Sequence, residues 1–105
     1  MARFDVHARR SGPGLLLDCQ ADLLAHLNTR LVVPLIPLAE APKPAARLNP
    51  VFTVGGSEHV MVTQYAAAVE LRELGEAVGS LAKHHHAIVG ALDMLITGAV
   101  QQGLA

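Results

Sequence analysis

The sequence predicts a mainly β (α+β) domain, antiparallel, with a single C-terminal helix. Three observations predict it. Phe4, Val6 and Ala8 alternate with Arg3, Asp5 and His7, the period-two signature of a half-buried strand. Glycine-rich turn chemistry separates apolar runs at Ser11-Gly12-Pro13-Gly14 and at Gly55-Gly56-Ser57. Beyond Leu81 the period becomes helical: Ile88, Leu92, Leu95, Ile96 and Ala99 form one stripe, while Val89, Met94 and Val100 lie off it.

The elements follow in order. After the first strand and its turn, Leu15–Gln20 is the return strand of a hairpin. Arg30-Leu31-Val32-Val33 begins a third strand. Pro34 and Pro37 demote its continuation to an edge or a bulged segment, since neither donates to a ladder. Ala39–Leu48, with Pro42 and Pro44, is a loop crossing a sheet edge. Val51–Val54 and Glu58–Thr63 flank the Gly55-Gly56-Ser57 turn and form the clearest hairpin. Propensity alone favours helix from Ala66 onward, but Gly75 and Gly79 each cost ~1 kcal/mol inside a helix. Val69–Leu74 is therefore expected as a short extended segment, and the helix over about 81–100.

The 105 residues make one domain, 1–105, with 51% hydrophobic and only 3% aromatic residues, so its core must be aliphatic. Such a short, apolar chain leans towards self-association. A helix that is apolar on two sides places core on one and a dimer axis on the other, with Met94 and Val89 as expected interface residues of a homodimer.

Several classes of chemistry are disfavoured. A net charge of -1 with interspersed signs gives no phosphate-tracking stripe, and Arg9-Arg10 or Lys43 with Arg47 are too sparse to make one. Cys19 is the single cysteine, which excludes an internal disulfide and reads as a small buried residue. No apolar signal core follows Arg3 and Asp5, and Ala87–Val100 is shorter than the ~20 residues of a membrane helix. A cytoplasmic protein without membrane contact is expected. Consecutive His84-His85-His86 on a helix point about 100° apart and cannot converge on one metal ion. Glu70, Glu73 and Glu76 form a charged outer face, and Asp93 within the apolar helix is expected at an exposed position in preference to a pair across a subunit interface. Neither a phosphate loop nor a nucleophile elbow is present. No catalytic residue, metal site or cofactor is expected.

Ordered pieces along nearly the whole chain nevertheless resemble one family. They are Arg3–Ala8; Leu31-Val32-Val33-Pro34-Leu35; Leu48-Asn49-Pro50-Val51 before the glycine hairpin; Gly75-Glu76-Ala77-Val78; and Ala91-Leu92-Asp93-Met94-Leu95 with Gly98. In this order and spacing they resemble the CcdB-like toxins of bacterial type II toxin–antitoxin modules. The resemblance implies a small SH3-like antiparallel barrel of the CcdB/MazF type, a symmetric homodimer, and a target in the A subunit of DNA gyrase, trapped while it holds cleaved DNA. It further implies a cognate CcdA-like antitoxin whose disordered arm removes the toxin, with nucleic acid reached only through the antitoxin complex. The family's gyrase contact is a terminal Trp-Gly-Ile. The corresponding positions here are Thr97, Gly98 and Ala99, with Val100 next: Gly98 matches, but Thr97 replaces the Trp and forgoes ~1–2 kcal/mol of stacking.

Two further functions compete with gyrase poisoning. The lost Trp suits an antitoxin-binding regulatory homologue without gyrase activity. The same barrel also hosts endoribonucleases, for which His59, Arg30 and Arg72 are the available acid–base or phosphate-binding candidates.

Overall fold

Strand β3 organises the molecule. The structure, a computed structural model, describes residues 2–98. Its strands are β1 (Asp5–Arg9), β2 (Leu15–Asp18), β3 (Thr29–Pro37), β4 (Val51–Val54), β5 (Ser57–Met61), β6 (Ala67–Glu70) and β7 (Leu74–Ser80), followed by helix α1 (His85–Thr97). All pairings are antiparallel, in the order β4-β5-β3-β2-β1-β7, with β6 also on β3. One edge of β3 carries β2. The other carries β6 along Thr29–Val32 and then β5 along Leu35–Pro37.

The prolines do not push β3 to an edge. In an antiparallel strand a residue's N and C=O face the same neighbour. The Pro34 carbonyl accepts the Val62 amide at 3.1 Å, so its donorless nitrogen faces the junction where the ladder passes from β5 to β6. The Val62 carbonyl, left without a donor there, accepts from Tyr65 at 2.9 Å instead. Pro37 simply ends the strand.

Leu16 and Leu17 point to opposite faces of β2, yet both are fully buried. One helix on one face of a flat sheet cannot do that; the sheet curls into a half-barrel. The larger core lies between sheet and helix and includes Phe4, Val6, Leu17, Val33, Leu35, Met61, Ile88 and Ala91. A smaller one, Leu16, Val32 and Leu74 with Val69 packed on it, lies on the opposite face of the sheet.

Two segments differ from the sequence patterning. Val69–Leu74 is not one extended piece: β6 ends at Glu70, Leu71–Glu73 makes a single 3-10 turn, and β7 starts at Leu74. Strand β7 carries Gly75, where a Cβ would lie 2.7 Å from the Ala8 carbonyl oxygen, so glycine marks close backbone approach there. The C-terminal helical region opens with a 3-10 turn, Ala82–His84, before α1. Tertiary pairing with β1 and β3 overrides the helical propensity of the alanine-rich stretch. No helix among the described residues is long and apolar enough to cross a membrane.

Candidate partner-binding surface

Helix α1 is docked at its middle and free at its end. Ile88 and Ala91 are fully buried, and Val89 and Leu92 pack half-buried on the same core. The stripe read from the sequence thus splits: Ile88 and Ala91 are sealed in the core, whereas Leu95 is 42% exposed and Ile96 75% exposed. Met94 and Asp93 are half-buried, the latter a correction to its expected exposure. Among the expected interface residues, Val89 therefore spends one side on the core, while Met94 stands nearer the free turn. The helix also packs against the Thr63–Tyr65 turn, which presents an exposed Tyr65.

The helix end is built by its own residues. Gly98 takes φ +72 and its amide donates to the Met94 carbonyl at 3.0 Å, a left-handed cap that glycine makes at little cost. The Thr97 hydroxyl donates back to the Asp93 carbonyl at 2.8 Å. Thr97 and Gly98 are exposed, directly after Ile96. Ala99 and Val100, the other expected target-binding residues, lie outside the described residues.

Sequence patterning assigned nothing to residues 21–29, yet this segment holds the most exposed large apolar side chain among the described residues, Leu23 at 87%, with Leu24 and Leu27 also exposed. It contains a 3-10 turn, Asp22–Leu24. Its only signal in sequence is a Leu-rich stretch too short for an element of its own.

Charged and titratable groups are dispersed. Arg30 is buried and donates from Nε and Nη2 to Asp18 Oδ2 at 3.1 and 2.6 Å. His59 is buried opposite Phe52, and its Nδ1 donates to the Ser57 carbonyl. Arg30 faces Val69 near one end of β3 while His59 faces Pro37 at the other, seven residues or roughly 23 Å along the strand. Arg72 is exposed and pairs with Glu70 at 2.8 Å. These three do not converge. Burial, with Asp18 adding to it, pushes the Cys19 thiol up to about 12, so it is no nucleophile. His84 packs on Phe52 at 4.7 Å and His85 on Phe4 at 5.7 Å between ring centroids, diverging as consecutive helix-start positions must. Among the described residues no group of three His, Cys, Asp or Glu side chains could hold a metal ion.

Comparison with known proteins gives one family and one fold. The family model described as "CcdB protein" matches residues 3–98. No curated protein is significantly similar to the chain in sequence. Among solved structures, an endoribonuclease from a mycobacterial species superposes with a TM-score of 0.75 at 14% identity, covering 91% of this chain and 90% of that one. The Mycobacterium tuberculosis toxin MazF-mt6 gives 0.72 at 15% identity, covering 88% and 95%. A mycobacterial endoribonuclease in complex with its cognate antitoxin gives 0.75 at 14% identity, covering 100% and 99%.

Proposed function

From the premise that this chain belongs to the CcdB family, a family of toxins of toxin–antitoxin modules, we propose that it is a cytoplasmic toxin that acts as a homodimer on the A subunit of DNA gyrase and stabilises the cleaved-DNA intermediate. The observation that carries this reading is the overhanging end of α1. Leu95 is partly and Ile96 largely exposed, and they lead directly into the exposed Thr97 and Gly98. Exposed aliphatic side chains next to a rigid cap suit contact with another protein. Thr97, Gly98, Ala99 and Val100 are assigned the target contact, and Met94, with the open side of Val89, the dimer contact. A CcdA-like antitoxin is the assigned regulator; the fold neighbour bound to its cognate antitoxin supports that kind of partner. Contact with DNA then comes only through gyrase or the antitoxin complex.

Purified gyrase with supercoiled DNA tests this directly. Trapped double-strand cleavage is expected with the protein and not without it; no trapping at micromolar protein overturns the gyrase target. If expression is also harmless while a neighbouring antitoxin peptide still binds, the regulatory homologue is the correct reading.

An endoribonuclease is the second reading, favoured by the activity of the fold neighbours. Against it stand the buried ion pair of Arg30 and the distance between Arg30 and His59. Incubation with a long RNA separates the two: specific cleavage, lost in His59→Ala or Arg72→Ala, supports the enzyme.

A further inference from the structure

The start of α1 is docked on the sheet through stacked rings. The Leu81 amide donates to the Phe4 carbonyl at 2.8 Å and the His84 amide to the Leu81 carbonyl at 2.9 Å, which joins the helical region to the residue before β1. The half-buried His84 lies on Phe52 and the exposed His85 on Phe4, and the His85 ring centroid is 5.1 Å from that of His86. Cationic and titratable groups surround these rings. Arg3 sits 4.5 Å from the centroid of the same Phe4 ring, and its Nε is buried without a hydrogen-bond partner. Lys83 and His84 precede His85 in the chain, and His59 lies opposite Phe52 on β5. Negative charge is scarce there. Neither the Ala82–His84 turn nor α1 has an acidic residue in its first turn or a side-chain cap. Asp22 and Asp5 accept the Arg3 and Ala2 backbone amides at 2.9 and 3.0 Å. Asp93 lies eight residues beyond His85, roughly 12 Å along the helix axis.

We propose that this junction is an acid-sensitive latch: protonation of His85 and His86 loosens the packing of the start of α1 on Phe4. Imidazoles gain their charge as pH falls below neutrality. Here each new charge meets others of the same sign: Arg3 on the shared Phe4 ring, Lys83 within one helical turn, and the neighbouring imidazolium itself. The uncapped positive end of the helix dipole opposes them further. An aromatic face attracts a cation, but Phe4 already carries Arg3, and the ring on which His86 packs is His85. The latch is therefore closed at neutral pH and loosened in acid. Because α1 is one continuous helix of 13 residues, freeing its start also frees the end that presents Leu95 and Ile96. That consequence rests on the reading that this end meets the protein target.

Hydrogen exchange at about pH 7.5 and about pH 5.5, expressed as protection factors, reads the latch directly. Protection of the Leu81 and His84 amides should fall about tenfold on acidification, while the amides of β2 and β3 change less than about threefold. Combining His85→Gln with His86→Gln keeps polar side chains without a titratable charge, and the fall should disappear. His85→Lys carries its charge at both pH values and should show loosened exchange already at neutral pH. A fall that persists in the double variant would overturn the proposal and assign the effect to His7 or His59. Wild-type protection in His85→Lys at neutral pH would overturn it equally. The protein concentration giving half-maximal trapped gyrase cleavage at neutral pH should rise about fivefold in His85→Lys. Unchanged potency despite loosened exchange would overturn the link to target contact. Absence of trapping by the wild-type protein instead removes the gyrase target, and the exchange pattern then decides on the latch alone.

Discussion

Asp18 and Arg30 are each essentially without solvent contact, and burial sets their consequences. Losing one partner leaves a buried uncompensated charge, so Arg30→Met or Asp18→Leu alone should cost about 3–5 kcal/mol in urea denaturation. The double variant, with apolar groups of similar volume, should recover most of that loss; no recovery would show that the pair contributes more than mutual neutralisation. Cys19 illustrates the opposite logic. Folding holds its thiol neutral up to about 12, raised from 9.0. Its contribution to stability is therefore fully present below pH 9 and disappears as pH rises from 9 towards 12. Thiol labelling at pH 8 should follow the unfolding rate and be fast only in denaturant. Phe4 is also unusual, being buried with φ 71 while its carbonyl accepts the Leu81 amide at 2.8 Å; its ring is held by the core and by Arg3 stacked at 4.5 Å.

At the scale of elements, legibility in the sequence followed the range of the forces involved. β1, β2 and the β4–β5 hairpin were readable because alternation and glycine turns act between neighbours in sequence. β7 was not, since Ala77 and Val78 extend only because β1 lies beside them, with Gly75 permitting the approach to Ala8. Gly75→Ala should push β7 off β1 and lower stability by about 1–3 kcal/mol, with amide exchange rising along Leu74–Ser80. Helix α1 was legible as a helix, but which residues it buries was not. Ile88→Ala should cost about 2–4 kcal/mol, whereas Ile96→Ser should leave the isolated fold within ~0.5 kcal/mol of wild type. Equal effects at both positions, read from chemical melts at low protein concentration, would show that the last turn is not free.

For the whole molecule, the surface question is which copy or target meets the free turn of α1. An isologous dimer through that turn predicts that Met94→Glu shifts sedimentation from dimer to monomer while far-ultraviolet dichroism stays folded. A stable dimer that ignores the substitution places the interface elsewhere. The candidate site was half legible: the apolar end of α1 could be read directly, but the expected helix ran on through Gly98, where the structure instead ends it with a left-handed cap. The exposed Leu23 and Leu24 could not be read, because nothing in Gln20-Ala21-Asp22-Leu23-Leu24 says that no core waits for those leucines.

By itself the sequence determined the strand-and-turn grammar, the aliphatic core composition, the terminal helix and the family to which they belong. Periodicity, turn residues and capping act over a few residues, so the sequence carries them without reference to the rest of the chain. Tertiary structure alone decided that Pro34 sits inside the central strand, that Arg30 is sealed against Asp18 away from His59, and that α1 turns Leu95 and Ile96 outward at its end. Each depends on which strand happens to lie alongside and where its ladder ends. That is a property of the curled sheet, which no single stretch of sequence encodes.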